Sequence, residues 1–412
     1  MNLTKKRWNI LFVCCLVNLC LGSIYTWSVF ASPMAHFLSE RLGQKITSAD
    51  LAIVYTVANS VGPITMISGG WINDKFGPKK VIFVGGLMFG LGMFLSGYAE
   101  SIKFLMVSYG LIYGLGLGMA YGTTISSCIK FFPDKRGLIG GITTALYGCS
   151  SVILPPIITI LVTNYGVTTT FKIVGIIFAI IVCTASFFIE QCPADFIPEG
   201  WSPRVNTTQG NVMNKNWKEM LKSPVFYLMM LILCCGAFSG MMITSQASSV
   251  AQHMIGMNLF SASTAVSVIA LFNVFGRIVA GYLSDKIGRI RTLALSCMLS
   301  LIGMLTLYSC SKGTVALFYI GAAIVGLCFG SFMGVFPGFT ADKFGPKNNS
   351  VNFGIMFIGF AISGYFGPTV MSNIYRSTGE YQEAFLIAAI LNIVGIVLSF
   401  IYTKVNKKIL SN

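Results

Sequence analysis

The chain has 412 residues, 55% of them hydrophobic and only 10% charged, with a formal net charge of +15. Soluble domains carry about 25% charged residues, so this composition excludes an ordinary soluble protein and indicates a polytopic helical membrane protein. In a soluble chain the positive balance would suggest nucleic acid. Here the Lys and Arg residues sit in short loops between apolar runs, where they record membrane orientation, and no nucleic-acid partner is expected.

Windows of about 20 apolar residues predict twelve spans, at 9–31, 51–72, 81–99, 104–129, 138–162, 171–189, 224–252, 262–283, 292–310, 314–340, 351–375 and 383–403. The first follows Lys5-Lys6-Arg7 and so imitates a signal peptide, but it exceeds the 7–15 residues of a signal core. It ends in the aromatic border Tyr25, Trp27 and Phe30, and reads as a retained spanning helix. A polar stretch with Pro193, Pro198 and Pro203 separates two sets of six spans. The expected organisation is a six-helix bundle over 1–190, a linker loop over 191–223, and a second bundle over 224–412. The fold class is all-α, with two pseudo-symmetric bundles. The termini and even-numbered loops hold 21 of the 28 basic residues, which predicts a cell-membrane protein with both termini in the cytoplasm. The twelve cysteines form no Cys-x-x-Cys pair and lie mostly in apolar runs. They behave as small hydrophobes, so no metal, disulfide framework or other cofactor is expected.

The halves repeat. Gly70-Trp-Ile-Asn-Asp74-Lys-Phe-Gly77-Pro78-Lys79-Lys80 follows span 2, and Gly281-Tyr-Leu-Ser-Asp285-Lys-Ile-Gly288-Arg289-Ile-Arg291 follows span 8. Span 4 carries Gly110, Gly114, Gly118 and Gly122, and span 10 carries Ala322, Gly326, Gly330 and Gly334. Such stripes let helix backbones approach closely. In the loop motif, Gly77 and Gly288 permit a tight turn. Asp74 and Asp285 are expected to accept bonds from the next helix N-terminus or from an arginine such as Arg289, forming a conformational latch.

One charge is out of place. Arg277 lies inside span 8, where an arginine is disfavoured by roughly 2.5–3.5 kcal/mol on insertion scales. Asn273, one helical turn earlier, can hydrogen-bond but cannot neutralise it. All thirteen Asp and Glu residues fall in loops or at span ends, so a bound anion is the simplest counter-ion. The alternative is a structural arginine that reaches the membrane surface or bonds backbone carbonyls.

The motif at 70–80 and its copy at 281–291 resemble the loop motif of major facilitator superfamily transporters, and the two-half plan covers the whole chain. Within that superfamily, three features resemble the oxalate:formate antiporter and bacterial monocarboxylate transporter family. They are Tyr25-Thr-Trp27, Tyr121 with the following Phe-Phe-Pro-Asp-Lys-Arg-Gly, and the Asn273/Arg277 helix. The resemblance implies that Arg277 binds a substrate carboxylate, that Asn273 hydrogen-bonds it, and that Tyr25 and Tyr121 line a central cavity. The oxalate transporter's lysine on span 11 is replaced here by Phe360. A cavity aromatic on span 10 is replaced by Met333, with Phe329 one turn earlier. With one buried positive charge, the second charge of a dianion would stand unpaired, a penalty of several kcal/mol in order of magnitude.

The expected function is therefore alternating-access transport of a small monocarboxylate such as lactate, pyruvate, formate or acetate, by a monomer in the lipid bilayer. An oxalate:formate-type exchanger is the alternative within the class. Coupling is open between anion exchange and symport with protons, since Asn273 stands where some proton-coupled relatives carry aspartate. Asp50, at the outer start of span 2, is a candidate to take part in that coupling, and it also reads as a solvated helix cap. An enzyme would need an acid/base pair, nucleophile or metal cluster at bilayer depth, and the spans supply none. A non-transporting sensor would normally carry an appended soluble domain.

Overall fold

The computed structural model describes residues 3–48, 50–193, 196–202 and 214–411. Asp195, Pro203 and much of the linker lie outside the described residues. Twelve long helices occupy the twelve predicted spans: α1 Leu3–Leu42, α2 Ala52–Phe76, α3 Pro78–Ser96, α4 Ile102–Phe131, α5 Arg136–Tyr165, α6 Val167–Phe188, α7 Pro224–His253, α8 Leu259–Ile287, α9 Arg289–Tyr308, α10 Val315–Phe344, α11 Asn349–Thr378 and α12 Gln382–Ser411. Among the described residues, eleven are long and apolar enough to cross a membrane. The other is α2, whose Thr56, Asn59, Ser60 and Thr65 dilute its apolar character.

The helices outrun the apolar windows because backbone hydrogen bonding continues after hydrophobicity ends. α1 extends well past 31, tightening to a 3-10 turn at Gly22–Thr26 before continuing. α4 contains a π-helical stretch over Met106–Tyr113, a feature that offsets side-chain register within a helix. A five-residue helix, Trp217–Leu221, sits where the linker was read as loop. Asn216 and Glu219 form its reciprocal capping box, a sequence signal present but unread.

The chain divides into two compact units. The first comprises Met1–Phe132, Leu146–Glu199 and Lys347–Ile355, and the second Pro133–Ala145, Gly200–Pro346 and Met356–Asn412. These limits differ from the expected six-and-six division at the first turns of α5 and of α11.

In the first unit the ladder on α4 lies against α2. A side-chain carbon on Gly114 would fall 2.6 Å from the Ala58 carbonyl oxygen, and one on Gly118 would fall 2.1 Å from that of Gly62. The same unit holds an aromatic column in which Trp27 lies tilted on Tyr109 (4.6 Å), while Tyr109 stacks on Tyr113 (4.3 Å) and Tyr113 on Phe89 (4.6 Å). In the second unit the α10 ladder meets α8 in the same manner. A carbon on Gly330 would lie 2.0 Å from the Asn273 carbonyl oxygen, and one on Gly334 would lie 2.3 Å from that of Arg277. A core of Met242, Val250, Met304, Leu307, Phe318 and Phe385 closes around the far half of α8. Backbone-to-backbone packing of this kind holds helices together in lipid, where water supplies little drive for their association.

Candidate functional site

Arg277 is 3% exposed and Asn273 7%. The α8 backbone is clamped on one side by the α10 ladder and on another by α5, where a carbon on Gly141 would sit 2.2 Å from the Arg277 carbonyl oxygen. The guanidinium is thereby fixed. Its Nε–H donates to Asn273 Oδ1 at 2.9 Å, and Nη1 donates to the Thr144 carbonyl at 2.5 Å. Both acceptors are neutral. Among the described residues no carboxylate pairs with Arg277, whereas Lys130 and Arg136 each have one and Arg289 has two. The carbonyl bond is what a purely structural arginine would make. The helix-to-helix fixation and the missing counter-charge go beyond it.

Of the other expected site residues, Phe329 and Phe360 come together in the second unit. Their rings are stacked at 6.1 Å and 5° apart, with Phe357 on Phe360 at 4.6 Å. Gly240 of α7 leaves the room, since a carbon there would lie 2.2 Å from the Phe329 ring. Met333 is buried one turn beyond Phe329 on α10. In the first unit Tyr25 and Tyr121 meet through a residue that sequence reading passed over. Tyr147 packs on Tyr25 at 5.3 Å and on Tyr121 at 4.6 Å. Its only sequence signal is a tyrosine within an apolar span.

The loop-motif aspartates are paired, Asp285 with the expected Arg289, but the helix N-termini they bind are not the expected ones. Neither aspartate caps the helix that follows it. That place belongs to Gly77 (φ 85°) and Gly288 (φ 97°), with no side-chain cap. Both conformations are ones that non-glycine residues rarely adopt. Asp285 instead accepts from the Gly137 and Leu138 N–H groups at the start of α5 (2.9 and 2.8 Å) and pairs with Arg289 at 2.6 Å. Arg289 continues to Asp342 at 2.8 Å, and Arg136 closes on Asp342 at 2.7 Å. Asp74 pairs with Lys130 at 2.7 Å and accepts from the Val351 N–H of α11 at 3.2 Å. Beneath it Asn73 donates to Ser350, which donates to Ser126. The motif aspartates thus bind helix N-termini distant in sequence, a placement favoured by the helix dipole.

Asp50 closes the turn ahead of α2 rather than capping that helix, whose N-cap is Leu51 with no side-chain cap bond. Its Oδ2 accepts the Thr47 backbone N–H and hydroxyl, both at 2.8 Å. Those bonds hold its carboxyl below the ordinary 3.8. A lowered carboxylate contributes stability above its unfolded pKa and loses it as pH falls through the folded value, a window below about pH 4. Asp50→Asn is therefore expected to leave the pH profile of transport between about pH 5 and 8 unchanged. A shifted profile in proteoliposomes would return Asp50 to the coupling problem.

Comparison with known proteins agrees with this architecture. The family model described as Major Facilitator Superfamily matches residues 11–315 and 279–411. The chain is 30% identical over 364 residues to an uncharacterized MFS-type transporter, YhjX, of Escherichia coli K12, covering 88% of this chain and 86% of that one. It is 27% identical to the oxalate:formate antiporter of Oxalobacter formigenes, covering 97% and 92%. Among solved structures, a double-tryptophan mutant of XylE superposes with a TM-score of 0.77 at 14% identity, covering 96% and 95% of the two chains. The twelve spans, the repeated loop motif and these matches agree, and the chain belongs to the Major Facilitator Superfamily.

Proposed function

We propose that this multi-pass membrane transporter moves small monocarboxylate anions, of the lactate, pyruvate, formate or acetate type, by alternating access. The observation that carries the reading is Arg277, buried, held by two helices and bonded, among the described residues, to neutral oxygens alone. Removing the partner of a buried charge costs roughly 3–5 kcal/mol, so an arriving carboxylate recovers a large electrostatic term. Asn273 orients the carboxylate or an adjacent hydroxyl or keto oxygen. Phe329, Met333 and Phe360 offer apolar surface for a short carbon chain. The resemblance assigns a lining role to Tyr25 and Tyr121, and Tyr147 joins them. Asp74, Gly77, Asp285, Gly288 and Arg289 serve as the conformational latch. The protein sits in the cell membrane as a monomer with both termini cytoplasmic.

Flux of labelled lactate, formate and oxalate into proteoliposomes, with and without a pH gradient and internal counter-substrate, tests this directly. The expected result is uptake of monoanions in preference to oxalate. Preference for oxalate would favour the exchanger reading suggested by the similarity to an oxalate:formate antiporter. Conversion without movement, or binding without flux, would end the transport reading.

Phe360→Lys sharpens the charge argument. It places a second cation at the end of the Phe329–Phe360 stack. Oxalate affinity is expected to rise at least tenfold, with formate affinity changed less, as for one added charge pair worth about 1.4 kcal/mol or more. Competition binding with both anions reads the outcome.

A further inference from the structure

The start of α5 is fastened to α8 at successive turns. Asp285 accepts the Gly137 and Leu138 N–H groups. Gly137 and Gly281 then face each other so closely that a carbon on either would lie 2.4 Å from the other's carbonyl oxygen. Gly141 follows beneath the Arg277 carbonyl. At the last level the bond, the only one among the described residues, is Arg277 Nη1 to the Thr144 carbonyl. The Thr144 hydroxyl plays no part, being turned back onto the Gly140 and Gly141 carbonyls at 2.8 and 3.2 Å. The group that fastens this level of α5 is therefore the guanidinium assigned above to the substrate.

We propose that the Thr144 carbonyl is an internal competitor for the substrate carboxylate, so that anion binding at Arg277 loosens α5 from α8 at the Thr144 level. The inference rests on the carboxylate reading of Arg277. A carboxylate is planar, carries a full charge and makes charge-assisted bonds roughly twice as strong as neutral ones. A bidentate grip uses two parallel N–H groups of the fork. Nε is already held by Asn273 of the same helix, which leaves the Nη1–Nη2 edge; Nη1 has two N–H groups, and a carboxylate on that edge pulls the fork toward itself and weakens the Nη1 bond to Thr144. The residue released lies next to Ala145, where α5 passes from the second unit to the first. Recognition and helix release then share one atom, which gives the anion a differential interaction with two conformations, the requirement for shifting between them.

Hydrogen exchange on the full chain in lipid nanodiscs tests this, with radiolabel binding of formate, acetate, lactate and pyruvate measured on the same preparation. At saturating anion, exchange over residues 137–145 is expected to accelerate about tenfold, as for loss of one hydrogen bond to a charged group. Exchange over 150–165 is expected to stay constant. Gly141→Ala, which forces α5 off the Arg277 carbonyl, should show the faster exchange without anion and no further response. Binding of any of the four anions with exchange over 137–145 unchanged or slowed would overturn the proposal while leaving the carboxylate reading intact. Failure of all four to bind would remove both.

Discussion

Arg277→Met protein, reconstituted at wild-type density, will bind and transport lactate-sized monoanions at no more than about 1% of the wild-type level. The estimate follows from the roughly 3–5 kcal/mol at stake when a buried charge loses its partner, at 1.4 kcal/mol per factor of ten. Arg277→Lys keeps the charge but not the planar fork, and an intermediate loss of about 10- to 100-fold is expected, near that of a missing bidentate contact. Thermal stability separates this role from a structural one. Were Arg277 a strut between α8 and α5, its bonds to Asn273 and Thr144 would be lost in Arg277→Met and the melting temperature would fall. If it is an anion site, methionine loses the same Thr144 bond but also removes an uncompensated buried charge, and the two effects offset so that the melting temperature stays near that of wild type. What disappears is the stabilisation by added carboxylate, which follows RT ln(1 + [L]/Kd). A variant that melts several degrees lower yet still gains stability from carboxylate would reject the assignment.

The sequence disclosed the helices and the isolated charge because both are one-dimensional signals. An apolar run long enough to span is visible without neighbours, and so is an arginine inside it. The glycine ladders were legible as packing stripes for the same reason, and α4 on α2 and α10 on α8 use them that way. What stayed hidden required knowing which distant turns meet. Asp285 caps α5 at Gly137, 148 residues earlier in the chain, and no local spacing announces it. The Thr144 carbonyl is a main-chain atom, present at every residue and distinguished here only by what lies opposite. Tyr147 joins Tyr25 to Tyr121 across a fold that spacing alone cannot close. The capping box at Asn216 and Glu219 was of the readable kind, and it was obscured by the prolines earlier in the same linker.

The ladders supply the second large effect, because the repeat provides its own control. Gly330→Ala would set a carbon 2.0 Å from the Asn273 carbonyl oxygen, and Gly118→Ala one 2.1 Å from that of Gly62. Each obstacle is backbone, so helices must part, and overpacking of this kind costs typically about 1–3 kcal/mol. Both variants are therefore expected to lose thermal stability to a similar degree. Their effects on binding should diverge. Gly330→Ala displaces α8 at the turn that carries Asn273 and Arg277, and misplacement by about 1 Å costs up to 10²-fold where geometry matters. Its carboxylate Kd should rise about tenfold or more, while Gly118→Ala, whose Gly62 neighbour holds no binding group, leaves Kd within about twofold. The loss should also fail to add to that of Arg277→Lys, since residues that act together through one shifted backbone are not independent. Equal changes in Kd for the two alanine variants would mean that the α10 stripe stabilises its helix pair without aiming the arginine.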